Sequence, residues 1–274
     1  MAHPLAPQFR RQARNCLPGS PLYAGLLDAM AADLDDGGPT ATVMEPYRDD
    51  RSASAPPLRL MGALHRMVLQ GHAPELALHY PSVGGSASAR QAWPAARRLL
   101  EAAGTELTGL AGRPVQTNEV GRCAALLGAL LVVATRTGLP IRLFEIGAAG
   151  LNLNVDRYAY AVDNRFLGQP DSTLRLRSPW RNYPPAELPL PVRLVERAGC
   201  DPLPVDPGST EGRLTLTSYV WADSTERLER LRAALQIATE HPTAVERARA
   251  ATWLPRRIGW PRRPPRWPWP GWST

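Results

Sequence analysis

The sequence predicts an α/β protein in which a helical N-terminal domain precedes a mostly parallel sheet. Apolar residues recur at helical spacing in several segments before residue 112. Residues 141–146 (IRLFEI) instead form a short apolar run, with Pro140 before it and Gly147 after it. A short apolar run between turn residues is typical of a buried strand in a parallel sheet.

Three helices are predicted in the first part of the chain. The first starts at Ser20 and Pro21, a capping residue followed by a proline at the first helical position. Its apolar residues recur every four positions over residues 22–34, which places them on one face. The second and third helices are predicted over residues 57–70 and 94–104.

An acid and two glycines follow the predicted strand. Glu145 lies near the carboxyl end of the strand, and Gly147 and Gly150 enclose a turn of small residues. We expect a Cβ at Gly147 to crowd the backbone. Strand, acid, glycine turn and helix is the order in which α/β sheets hold nucleotide-like ligands. An ordinary turn between strand and helix explains the same residues, so both interpretations stay open.

Four polar residues, 116–119, lie at the start of an apolar helix predicted over residues 119–137. Thr117 or Asn118 can cap this helix, and Glu119 lies in the first turn, where the helix dipole favours an acid. Capping requires only one residue of the four. Asn118 and Glu119 are therefore also candidates for lining a ligand pocket at the edge of the sheet.

Four stretches resemble a bacterial family of uncharacterised function: residues 116–122 (QTNEVGR), 143–147 (LFEIG), 150–153 (GLNL) and 156–158 (DRY). The core of that family is similar to the Rossmann-type S-adenosylmethionine (SAM) methyltransferases. The resemblance covers about residues 21–254 and implies a Rossmann-type, methyltransferase-like fold with SAM as cofactor, but no acceptor. The turn over residues 145–150 is one residue shorter than the acid-x-Gly-x-x-x-Gly of methyltransferase first motifs, which shifts its second glycine relative to the ligand.

The resemblance implies roles for residues already singled out. Glu145, Gly147 and Gly150 would form the cofactor turn, and Asn118 and Glu119 would line the pocket. Methyl transfer from a sulfonium depends mainly on positioning. The sequence therefore needs no catalytic triad or metal cluster, and it names no catalytic residue.

Asp201 and Asp206 follow a second predicted strand, residues 191–196. In dinucleotide and SAM folds, an acid after the second strand binds the ribose hydroxyls. Both aspartates lie further from Glu145 than the usual roughly 20 residues, which an insertion over residues 163–189 would explain. Each aspartate also precedes a proline and fits an Asp-Pro turn, so both interpretations stay open.

The net charge of +7 is concentrated at the end of the chain. Five of the 32 basic residues lie in residues 255–274 with no acid among them, and subtracting them leaves +2 for the rest. We therefore expect the body of the chain to bind a small molecule, not nucleic acid. The three cysteines lack paired spacing, which argues against disulfides or a zinc site and favours a cytoplasmic location.

The apolar run over residues 124–134 is shorter than the roughly 20 residues of a membrane span, so no membrane partner is expected. Residues 255–274 contain six prolines and four tryptophans. Proline at that density interrupts helix and sheet, which predicts an irregular, dispensable tail. Such a tail can bind membranes or nucleic acid, or arise from a frameshift or truncation near Leu254, the interpretation that we favour.

The predicted domains are residues 1–112 (helical), residues 113–254 (Rossmann-like, SAM-binding and incomplete at its C-terminal end) and the tail, residues 255–274. The hypothesis for function is a SAM-dependent methyltransferase-like protein of unknown acceptor. One alternative is a degenerate or truncated, non-catalytic member of the family. The other is a nicotinamide-dependent oxidoreductase, although the full GxGxxG is missing. The sequence gives no oligomeric state.

Overall fold

The structure, a computed structural model, describes residues 3–86, 88–162, 165–177 and 192–259. These residues form a mixed α/β protein with a small, mostly parallel sheet. The helices are α1 (Ala6–Cys16), α2 (Pro21–Asp35), α3 (Pro39–Met44), α4 (Pro56–Leu69), α5 (Pro74–Ala77), α6 (Ala89–Ala102), α7 (Gly104–Ala111), α8 (Cys123–Thr137), α9 (Thr210–Ser218), α10 (Thr225–Glu240) and α11 (Ala250–Ile258). The strands are β1 (Ile141–Ile146), β2 (Ala159–Val162), β3 (Arg165–Gly168), β4 (Arg175–Arg177), β5 (Leu194–Asp201) and β6 (Val245–Arg247).

Helices α1 to α7 pack around one cluster of buried apolar side chains, which includes Phe9, Met30 and Leu64. The predicted first helix is confirmed as α2. Ser20 caps it by accepting a hydrogen bond from the Tyr23 backbone N–H at 3.1 Å. The predicted second helix is confirmed as α4, one residue displaced from 57–70.

Helix α6 starts five residues before the predicted 94–104, so that prediction is wrong at its N-terminal end. Pro94 lies inside the helix. An internal proline removes one backbone hydrogen bond and disfavours a helix. Here the buried Ala92 and Ala96 pack in the helical core on either side of Pro94, and tertiary packing outweighs the local cost.

The main sheet has the order β1-β5-β6, and both pairings are parallel. The strand predicted over residues 141–146 is confirmed as β1. The strand predicted over 191–196 is β5, which begins three residues later and continues to Asp201. The prediction that β1 is a buried strand is wrong in part. Ile146 is 54% exposed, and among the described residues β1 pairs only with β5.

A second small sheet, in the order β3-β2-β4, lies between β1 and β5 along the chain. Strand β2 pairs antiparallel with β3 and parallel with β4. Strands β3 and β4 lie within the predicted insertion over residues 163–189. Residues 163–164 and 178–191 lie outside the described residues.

Helix α8 covers one face of the main sheet together with α10. A 3₁₀ turn, Val120–Arg122, precedes α8, and Glu119 caps the turn by accepting from the Gly121 N–H at 3.0 Å. The prediction that Thr117 or Asn118 supplies the cap is therefore wrong, because the 3₁₀ geometry brings this N–H to Glu119. The segment Val120–Thr137 has the length and apolar composition of a membrane span, with mean hydropathy 1.5 over 18 residues, but 44% of it is buried in the protein. The expected absence of a membrane partner stays a prediction.

Helix α11 covers the opposite face of the sheet. Trp253 is fully buried there against Phe144, Ala198 and Cys200. The helix continues through Pro255 to Ile258, so the prediction of an irregular chain from residue 255 is wrong for residues 255–258. The rest of the predicted tail, residues 260–274, lies outside the described residues.

Candidate functional site

The candidate site lies at the carboxyl end of β1. Gly147 and Gly150 follow the strand with φ of +70° and +82°, both in the left-handed region that favours glycine. The backbone N–H groups of Gly147 and Ala148 donate to the Cys200 carbonyl of β5 at 2.9 and 3.2 Å. The turn is therefore fixed to the neighbouring strand.

Gly147 is required for its backbone conformation and not for space. A Cβ added there meets no heavy atom within 4 Å among the described residues, so the predicted crowding is wrong. A Cβ at Gly150 would lie 3.1 Å from Oγ1 of Thr243, whose hydroxyl donates to the Gly150 carbonyl at 3.1 Å. The two glycines therefore have different constraints: Gly150 is packed, and Gly147 is open.

Glu145 projects from β1 toward the start of α8. The side-chain amide of Asn152 donates to its Oε1 at 2.9 Å, and Oδ1 of Asn152 accepts from Sγ of Cys123 at 3.4 Å. The other carboxylate oxygen, Oε2, is buried and has no partner among the described residues. Burial raises the pKa of Glu145, opposed by the Asn152 hydrogen bond and by the charge of Arg122.

Asn118 also offers an unused acceptor. Its side chain is buried, 9% exposed, and its Oδ1 has no hydrogen-bond partner in the described ranges. Buried acceptors in native proteins are normally satisfied, so both Asn118 and Glu145 call for a group that completes their hydrogen bonding. A ligand with N–H or O–H donors would do so.

Glu119 has a different environment from its neighbour. Its Oε2 lies 2.5 Å from Nε of Arg227, and its Oε1 lies 3.6 Å from Arg230, both on α10. With the cap at Gly121, both oxygens of Glu119 are already engaged. Its principal role in this structure is to join the start of α8 to α10.

Asp201 ends β5, directly beside the end of β1, where Glu145 pairs in register with Gly199. Its Oδ1 accepts from the Leu203 N–H at 2.7 Å, and Oδ1 of Asp206 accepts from the Gly208 N–H at 2.9 Å. The turn interpretation is thus confirmed for both aspartates. Only Asp201 also ends a strand at the sheet edge that carries Glu145.

Sequence reasoning gave no role to three residues around Glu145. Asn152 lies within residues 150–153, which resemble the family, and this was the one signal that could have identified it. Cys123 lies in the predicted helix 119–137 without an assigned role, and burial raises the pKa of its thiol well above the ordinary value. Arg122 ends the segment 116–122 that resembles the family, and the sequence assigned it no partner.

An ion pair holds this side of the site in place. Arg197 of β5 binds both oxygens of Asp156 at 2.7 and 2.8 Å, and also donates to the Leu153 carbonyl at 3.1 Å. Both acceptors belong to the 3₁₀ segment Asn152–Arg157, which carries Asn152. The bidentate pair therefore fixes the residue that orients Glu145.

The fold is that of a mixed α/β protein with a small parallel sheet. At the carboxyl edge of this sheet, β1 carries Glu145 and is followed by the glycine turn, and β5 ends at Asp201. The chain belongs to the family described as "Uncharacterized protein conserved in bacteria (DUF2332)", which matches residues 6–265. The predicted bacterial family of uncharacterised function is confirmed. The match continues past Leu254, so the expectation that the resemblance ends there is wrong. Comparisons with curated proteins and with solved structures found no match.

Proposed function

We propose that this chain binds SAM at the carboxyl edge of a Rossmann-type sheet and transfers the methyl group to a small molecule. The observation that carries the proposal is the carboxylate of Glu145, with one oxygen oriented by Asn152 and the other buried without a partner in the described chain. A ligand that donates from an ammonium or ribose hydroxyl group would satisfy that oxygen.

The arrangement of the sheet supports this assignment. Strands β1, β5 and β6 are parallel neighbours with helices on both faces, and ligands of such sheets bind beyond the carboxyl ends of the strands. Gly147 and Gly150 form the turn at that edge, and Asp201 ends the adjacent strand. Asp201 would accept from the ribose hydroxyls, whereas Asp206 lies in the following loop and is the weaker candidate.

The residues present fit the chemistry that SAM supplies, which is a methyl group on a sulfonium that an acceptor's lone pair attacks as the carbon–sulfur bond breaks. The chain contributes binding, orientation and exclusion of water. Glu145 and Asn118 supply buried acceptors, and the apolar side chains around α8 shield this face of the sheet. No proton transfer by a dedicated base is required when the acceptor is already a nucleophile.

Calorimetric titration of the full chain with SAM and its demethylated product, S-adenosylhomocysteine, tests the proposal. Wild-type protein should bind both, and Glu145→Gln should weaken binding about tenfold or more, which is about 1.4 kcal/mol. Glu229→Gln is the matched control, because Glu229 is an exposed acid on α10. No heat with either ligand at millimolar concentration would refute the proposal and favour a non-catalytic protein. Binding of NADH instead would favour the oxidoreductase alternative.

A further inference from the structure

A cavity of about 140 Å³ lies between the N-terminal helices and the segments that flank α9 and α8. Tyr23 of α2 and Met61 of α4 line one side, and Tyr219, Trp221 and Glu119 line the other. An apolar cavity of roughly 150 Å³ accommodates benzene. The space therefore matches a ligand with a single ring.

The walls of this cavity are aromatic and closely packed. The ring of Trp221 lies 6.4 Å from that of Tyr23, and the guanidinium of Arg227 lies 5.5 Å from the Trp221 ring. Gly62 allows α4 to approach Tyr219, because a Cβ at this position would lie 2.5 Å from Cε1 of the tyrosine ring. The aromatic surface is thus held in place by its surroundings, as a pre-formed binding site requires.

One cation of the cavity has no ion-pair partner among the described residues. Glu119, Arg122 and Arg227 line it, and Glu119 is paired with Arg227 at 2.5 Å and contacts Arg230 at 3.6 Å. In the part of the chain that the structure describes, Arg122 has no carboxylate within 4 Å. Its charge does act on Glu145, where it opposes the rise in pKa caused by burial.

Arg122 is exposed, and helix capping does not account for an arginine at this position. The residue is the N-cap of α8 and makes no side-chain capping hydrogen bond there. The N-terminal end of a helix carries partial positive charge, so a cation at this position is unfavourable for the helix. An anion bound beside Arg122 would offset that repulsion.

We propose that the cavity binds a small aromatic carboxylate. The ring packs against Trp221 and Tyr219, and the carboxylate pairs with Arg122, whose planar fork suits a bidentate contact. Binding does not require the cofactor. Arg122 directly precedes Cys123, whose thiol contacts the Asn152 side chain that binds Glu145, so the cavity adjoins the proposed SAM edge. The assignment of this ligand as the methyl acceptor rests on the proposed function.

Benzoate and benzamide, which share their shape and differ in charge, are suitable probes for calorimetric titration of the full chain. Benzoate should bind at least about tenfold more tightly than benzamide, a difference of about 1.4 kcal/mol. Arg122→Gln should abolish the preference. Arg136→Gln should keep it, because Arg136 is an exposed arginine in the last turn of the same helix.

Three results would overturn the inference: no heat with benzoate at millimolar concentration, equal affinity for benzamide, or unchanged benzoate binding in Arg122→Gln. Parallel titration of the same samples with SAM separates the two proposals. Benzoate binding that depends on Arg122 without any SAM binding would keep the carboxylate site and remove the methyltransferase proposal. SAM binding without benzoate binding would keep the methyltransferase proposal and remove the carboxylate site.

Discussion

Asn152 donates a hydrogen bond to Oε1 of Glu145 at 2.9 Å, while the second oxygen of that carboxylate is buried without a partner among the described residues. Three segments meet here: the end of β1, the 3₁₀ segment Asn152–Arg157, and the start of α8 through Cys123. A half-satisfied buried carboxylate destabilises a fold unless something completes it. Its position at the sheet edge therefore supports the proposed ligand contact.

Replacing Glu145 by glutamine should stabilise the protein at neutral pH. Burial raises the pKa of Glu145 above its ordinary value of 4.5, so the folded protein retains a proton that the unfolded chain releases. The contribution of this group to stability therefore falls as pH rises from 4.5 through the raised pKa. The advantage of the glutamine variant should be full above the raised pKa and vanish below 4.5. Thermal unfolding of both proteins between about pH 4 and pH 8 measures it, and a less stable variant at pH 8 would contradict it.

Substitution of Gly147 should be costly because of its backbone conformation. The residue has φ of +70°, and a Cβ there would meet open space among the described residues. Alanine should cost about 1–2 kcal/mol, and asparagine less, because asparagine tolerates the left-handed region. Urea unfolding of the two variants checks the order; equal losses would point to crowding instead. Gly147→Val should also abolish SAM binding while the helical part stays folded.

The sequence predicts the position of a helix or strand where its ends are set by residues close to them in the chain. Ser20 and Pro21 mark the start of α2, because a side-chain cap and a fixed φ act within one turn. Pro140 and Gly147 likewise enclose β1. The glycine turn and Glu145 at the strand end were predicted from the same local pattern, and the structure has them at the same edge as Asp201.

Features that depend on distant partners were not predictable. Pro94 and Pro255 lie inside helices because packing of the neighbouring side chains outweighs a local penalty of about 3 kcal/mol. The capping role of Glu119 and the contact between Asn152 and Glu145 depend on how segments meet in space. A single sequence without pairing information does not contain these contacts.

Helix α11 should contribute to stability through its last turn. Arg257 pairs with Glu246 and lies 3.7 Å from Glu196, and the Arg257 carbonyl accepts from Arg142 at 2.8 Å. Ending the chain after Leu254 removes these contacts, and we expect a loss of roughly 1–2 kcal/mol. This reverses the expectation, based on sequence, that such a deletion is harmless.

The matched control for this deletion is a chain that ends after Gly259. The sequence still predicts that residues 260–274 are dispensable, so the longer form should melt at the wild-type temperature. Thermal unfolding of the two truncated proteins and the full chain provides the comparison. Equal melting temperatures for the two truncations would show that the last turn of α11 contributes nothing.

Asn118 and Glu119, which the sequence grouped as one polar cluster, should separate in their effects. Both oxygens of Glu119 are engaged, one by the Gly121 N–H at 3.0 Å and the other by Arg227 at 2.5 Å. Glu119→Ala should therefore cost about 1–2 kcal/mol from the lost cap alone. Oδ1 of Asn118 has no partner within the described residues, so Asn118→Ala should cost less stability and weaken SAM binding instead. Urea unfolding and SAM titration of the same samples measure both quantities. An Asn118→Ala protein that loses as much stability as Glu119→Ala, and binds SAM as wild type does, would make Asn118 structural and leave Glu145 as the sole buried acceptor proposed for the cofactor.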